Sequence, residues 1–112
     1  MENTRQERIA KQIQRDVAEI FQRDIADTLR GTLVTVTAVR VSPDLGYAKI
    51  YVSVFPFDKA TATLAFLGEQ NRAIRGALGN RMRNQVKSIP ELQFFIDDSL
   101  EYIENIDNLL SK

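Results

Sequence analysis

The first thirty residues set Ile9, Ile13, Val17, Ile20 and Phe21 three and four positions apart, with strong helix formers between them and no proline. The spacing predicts an amphipathic helix that Arg30 and Gly31 close. At about 100° per residue, Arg8, Lys11 and Arg15 fall opposite the apolar stripe and form a basic line turned away from the core. From Leu33 to Val41 the period shortens to two and the residues become β-branched, which predicts a strand. Its faces are Val34, Val36 and Ala38 against Leu33, Thr35, Thr37, Val39 and Val41. Ser42-Pro43-Asp44-Leu45-Gly46 combines a fixed φ, a side chain that can bond its own backbone and a glycine for a left-handed position, so the chain reverses there. Ala48, Ile50, Val52 and Val54 then alternate as the inward side of an antiparallel hairpin. Lys49, Tyr51 and Ser53 face outward, where Tyr51 either stacks a base or covers a neighbouring strand.

Helical spacing returns after Pro56-Phe57-Asp58 with Leu64, Leu67, Ile74, Leu78 and Met82, and Asp58 is the expected N-cap. Gly76 and Gly79 each cost about 1 kcal/mol against alanine inside a helix, so a break is expected near Gly79. Asn80 would cap a short following helix to about Lys87, ended by Ile89-Pro90. Across that break Arg72 and Arg75 are expected to converge with Arg83 and Lys87 on one side. Leu92, Phe94 and Ile96 alternate as a third strand, and Asp98-Ser99-Leu100-Glu101 opens a last acidic helix through Leu110. The order α-β-β-α-kink-α-β-α predicts an α+β protein, a three-stranded sheet packed on helices, in one domain over residues 1–112. No repeat, linker or low-complexity segment divides it.

Composition narrows the chemistry. The chain has 112 residues, 44% of them apolar and 27% charged, enough apolar mass to bury a core. It has no cysteine and no histidine, so disulfides, thiolate or imidazole zinc sites, Cys or Ser–His nucleophiles and histidine acid–base chemistry lack their parts. The polar start Met1-Glu2-Asn3-Thr4-Arg5 lacks the apolar region of a secretory signal, and no apolar run approaches the roughly 18 residues that cross a bilayer. A cytoplasmic protein without membrane association is expected.

Fifteen basic against fifteen acidic residues sum to zero, but their distribution is uneven. Gln70 to Pro90 holds five bases (Arg72, Arg75, Arg81, Arg83, Lys87) and no acid, whereas Glu91 to Asp107 holds six acids and no base. Phosphates near such a patch feel its local field within a Debye length of about 8–10 Å, whatever the net charge. The basic run is therefore either an anion-binding surface or a solvated face.

Three smaller patterns have competing readings. Gly76-Ala77-Leu78-Gly79 satisfies the G-x-x-G spacing with which KH domains clamp a nucleic-acid backbone, but its central pair is apolar and Leu78 belongs to the helical stripe, which favours a helix kink. Asp97, Asp98 and Glu101 form a carboxylate cluster that holds Mg²⁺, works as an acid–base pair of a hydrolase, or caps the last helix, and capping is the reading preferred. Phe95, beside the core residue Phe94, meets solvent, a helix or an RNA base.

Val39-Arg40-Val41-Ser42-Pro43-Asp44-Leu45, Ala48-Lys49-Ile50-Tyr51-Val52-Ser53, the segment Ile74 to Gly79, and Pro90-Glu91-Leu92-Gln93-Phe94-Phe95-Ile96-Asp97-Asp98-Ser99 together resemble the ribosome-binding factor A family over nearly the whole chain. The resemblance implies a type II KH-like domain in which an Ala-x-Gly kink, here Ala77-Leu78-Gly79, replaces the G-x-x-G loop. It also implies an assembly factor of the bacterial small ribosomal subunit that is not an enzyme and needs no cofactor or metal. Such a factor binds immature particles and supports late maturation of small-subunit rRNA, including its 5′ end, and matters most in the cold. A maturation GTPase promotes its release, and it acts as a monomer. The chain departs from some relatives in stopping at Lys112 without a longer tail, and in its zero net charge.

Joined to the charge pattern, this places rRNA phosphates on Arg72, Arg75, Arg81, Arg83 and Lys87, aided by Arg8, Lys11 and Arg15. The alternative is a protein-interaction module using the acidic C-terminal helix.

Overall fold

The computed structural model describes residues 4–24 and 31–97. In chain order the elements are helix α1 (Thr4–Asp24), strands β1 (Leu33–Val41) and β2 (Tyr47–Phe55), a 3-10 turn (Phe57–Lys59), helices α2 (Ala60–Glu69) and α3 (Asn71–Met82), and strand β3 (Glu91–Ile96). The expected α+β order is present; the expected closure of the first helix at Arg30 and the acidic C-terminal helix both fall outside the described residues. The sheet runs β1-β2-β3, with β1 and β2 antiparallel and β3 parallel to β2. A parallel return needs a crossover, which α2 and α3 supply.

One face of the sheet carries the core. Ala48, Ile50, Val52 and Val54 on β2, with Leu92 and Phe94 on β3, are buried against Ile13, Val17 and Ile20 of α1, Leu67 of α2 and Ile74, Leu78 and Met82 of α3. The rings of Phe21 and Phe94 meet at 6.3 Å between helix and sheet. Two glutamines tie α1 to β1 by filling backbone acceptors: Gln6 donates to the Val41 carbonyl at 3.0 Å and Gln14 to that of Val36 at 3.3 Å. Such bonds satisfy groups that burial would otherwise leave without water.

β1 departs from strict alternation. Val36 pairs with Val52 but the next pair is Ala38 with Tyr51, so Thr37 is an extra residue in a bulge. The bulge flips the pattern midway: Val36 faces the core before it, and Val39 and Val41 face the core after it. The expected grouping of Val39 and Val41 opposite Val36 is corrected accordingly. Thr37 Oγ1 donates to Asp97 Oδ2 at 2.5 Å, tying the bulge to the end of β3.

The turn between β1 and β2 forms where expected, but Leu45, not Gly46, holds the left-handed backbone, at φ 60°. That conformation costs roughly 1–2 kcal/mol in a residue with a Cβ. It is offset by the bond from Leu45 N to Ser42 O at 2.9 Å and by packing of the leucine on the core. Asp44 completes the turn by accepting from Ser42 Oγ at 2.6 Å and from Gly46 N at 3.1 Å. Those two donors hold its carboxyl below the usual carboxylate range.

The break in the second helical region lies at Gln70 and not near Gly79. α3 continues through Ala77 and Gly79 to Met82, Asn80 lies inside it, and residues 83–88 form turns instead of a short helix. The reason is the core: Ile74, Leu78 and Met82 are all buried at i, i+4, i+8, and a break between them would turn one out of the core. A Cβ at Gly79 would stand 3.4 Å from Ile89 Cγ1, at the near edge of ordinary van der Waals contact. Asp58 sits within the 3-10 turn, and Lys59 holds the N-cap position of α2 without a side-chain bond.

Gly76 is exposed, and a Cβ there would meet nothing within 4 Å. Gly76→Ala is therefore expected to stabilise the protein by about 0.5–1 kcal/mol, through helix propensity alone. Urea unfolding checks this; a lower midpoint would show that the position is constrained in a way the helix does not reveal.

Candidate nucleic-acid interface

α1 and α3 lie on the same side of the sheet and are joined by an ion pair between Arg81 and Glu19. The helical layer thus brings together bases from both ends of the sequence. Arg8, Lys11 and Arg15 are exposed on the outward side of α1, as their spacing predicts. Arg15 donates to Gln12 Oε1 at 2.5 Å, and Gln12 Nε2 in turn donates to the buried Asp16 at 2.7 Å.

The five bases of the second run separate into three situations. Arg81 is paired with Glu19, so its charge is largely spent within the protein. Arg75 is bound to backbone: Nε donates to the Pro90 carbonyl at 3.1 Å and a terminal nitrogen to that of Ile89 at 2.6 Å. With Asn71 Nδ2 donating to Leu92 O at 2.9 Å, this fastens the start of β3 to α3. Arg72, Arg83 and Lys87 are exposed and have no ion pair with a described residue.

The expected convergence of all four bases on one side does not form. Arg72 and Arg75 share an open cavity of about 770 Å³ with Glu69 and Glu91, whose acids balance the two bases. Arg83 and Lys87 lie instead in the turns after α3, beside the β1–β2 turn and the first residues of α1. The cause is the unbroken α3, which at about 1.5 Å per residue carries Arg83 some 16 Å from Arg72.

Arg5, absent from the sequence-based set, also lies at that end. Its signal was present, since Arg5 and Arg8 are one turn apart, but nothing local to α1 places it beside residue 83. On the sheet's other face, Tyr51 and Phe95 stack at 5.4 Å with Lys49 Nζ 6.0 Å above the Phe95 ring. Tyr51 thus covers a neighbouring strand, the second of its two readings. Asp97 receives the Thr37 hydroxyl, and Asp98 and Glu101 lie outside the described residues. No helix among the described residues is long and apolar enough to cross a membrane.

A mixed three-stranded sheet with helices packed on its core-bearing face, in the order α-β-β-α-α-β, defines a KH-like α+β domain. More narrowly, the chain belongs to the ribosome-binding factor A family, whose model matches residues 5–110. It is 41% identical over 112 residues to ribosome-binding factor A of Flavobacterium psychrophilum, covering 99% of this chain and 86% of that one. The crystal structure of ribosome-binding factor A from Thermus thermophilus superposes with a TM-score of 0.67 at 28% identity, over 81% of this chain and 94% of that one. A homology model of the Thermus thermophilus factor, fitted into a cryo-electron-microscopy map of its complex with 30S, gives a TM-score of 0.63 at 31% identity, over 80% and 91% of the two chains.

Proposed function

We propose that this protein is an assembly factor of the small ribosomal subunit. It binds immature subunits and supports late maturation of small-subunit rRNA, including its 5′ end, by laying exposed bases of the helical layer on rRNA phosphates. It works by binding and not by turnover, as a cytoplasmic monomer, and a maturation GTPase promotes its release. The observation that carries the reading is the set of exposed bases on two sequence-distant segments, Arg8 and Lys11 on α1 and Arg83 and Lys87 after α3, which the α1–α3 contact unites in one layer. The Thermus thermophilus relative fitted into a 30S complex supports the choice of partner.

Phosphate contacts of this kind position a protein without reading sequence, so selectivity comes from the shape of the folded rRNA. Arg75 and Arg81 then have different work, holding β3 to α3 and α1 to α3, and they serve the interface by placing its other members.

The test is co-sedimentation with immature and mature small subunits over a potassium chloride series. Binding that prefers immature particles and weakens steeply with salt is expected, because released counterions make phosphate-driven association salt-dependent. Absence of binding to both particles overturns the reading, and binding indifferent to salt points to a protein contact instead.

A further inference from the structure

We infer that the end of the molecule formed by the start of α1, the turns after α3 and the β1–β2 turn is a phosphate cradle for one RNA strand, with Arg5 at its centre. The inference rests on the assembly-factor reading and gives that surface a location. Two cavities adjoin there, of about 330 and 510 Å³. Arg5 and Gln85 line both, so the two cavities meet at these side chains. Arg8 lines the first cavity, and Arg83 and Lys87 line the second.

The charge around these two cavities is one-sided. Arg5, Arg8, Arg83 and Lys87 are exposed and have no ion pair with a described residue. The opposing acid that lines them is Asp44, whose Oδ1 already accepts from Ser42 Oγ and Gly46 N. Gathering four like charges costs the free protein energy, and an anion relieves that cost. The cavity around Arg72 contrasts with these two, since Glu69 and Glu91 there offset both arginines. Two adjoining cavities that each carry bases suit the repeating charges of a sugar–phosphate strand better than a compact anion, and the Gln85 amide adds a neutral donor for phosphate or ribose oxygen.

The experiment uses the full chain with immature small subunits and compares Arg5→Gln with Arg23→Gln over a salt series. Both variants remove one positive charge, but residue 23 lies eighteen positions further along α1, about 27 Å along the axis. Arg5→Gln is expected to weaken binding several-fold and make the slope of log affinity against log salt shallower by about one, the signature of one lost phosphate contact. Arg23→Gln should leave the slope unchanged. Asp44→Asn removes the opposing charge and is expected to tighten binding about two- to threefold, a gain that misfolding cannot imitate.

Equal effects of Arg5→Gln and Arg23→Gln, or no effect of either, overturn the cradle. If the unaltered protein binds subunits with a steep salt slope in that case, the assembly-factor reading stands and only the location fails. If the unaltered protein does not bind, both fall. Competition by inorganic phosphate at matched ionic strength, as strong as that by an RNA strand, would likewise replace the cradle with a simple anion site.

Discussion

Replacing Arg83 and Lys87 together by glutamate is expected to reduce affinity for immature small subunits by roughly 100-fold or more at low salt, with almost no change in melting temperature. Each base removed forfeits a phosphate contact, and each acid added repels the same phosphates. Both side chains are exposed and lack an ion pair with a described residue, so folding loses little. Surface changes of this kind usually stay within about 0.5 kcal/mol. Arg81→Glu serves as the contrast. It sets two acids against each other at the Arg81–Glu19 contact, so it should lower stability first and binding only as a consequence. Co-sedimentation and thermal unfolding on the same preparations separate the two. A double variant that binds normally would remove the turns after α3 from the interface.

The other large effect concerns the core. Ile50→Ala is expected to destabilise the protein by about 2–5 kcal/mol, a drop of roughly 10–25 °C in melting temperature for a domain of this size. Ile50 is fully buried on the central strand, beneath the helical layer, and pairs with Val39 on one side and Phe94 on the other. Truncation opens a cavity that neither neighbouring strand can close without shifting its register. Ile50→Val, which removes one methylene, should cost only about 0.5–1.5 kcal/mol. Equal losses for the two variants, measured by urea and thermal unfolding, would mean that the packing around Ile50 can collapse to fill the space.

The two effects lie at different distances from the sequence. Ile50 was identifiable as core because apolar residues recur at every second position of β2, at Ala48, Ile50, Val52 and Val54, and all four are buried, although Ser53 between the last two is buried as well. The same reasoning failed on β1, where the inserted Thr37 reverses which face is buried. A bulge depends on how two strands register, and that is a property of the pair. The expected break near Gly79 failed for a related cause. Helix propensity penalises two glycines, but the burial of Ile74, Leu78 and Met82 contributes more than the penalty removes, and the break falls at Gln70, where α2 gives way to α3.

By itself, the sequence determined the order of the elements, the α+β class, the inward row of β2 and the outward basic line of α1, because each rests on a period carried within one segment. Its motifs also identified the family. Only the tertiary structure decided which bases form a surface. It withdrew Arg81 to Glu19 and Arg75 to the carbonyls of Ile89 and Pro90, separated Arg72 from Arg83 along an unbroken helix, and brought Arg5 beside Lys87 from the far end of the chain. A charge count cannot distinguish these outcomes. Whether an arginine faces solvent or is already paired depends on what folds against it, and those partners lie more than ten residues away in sequence.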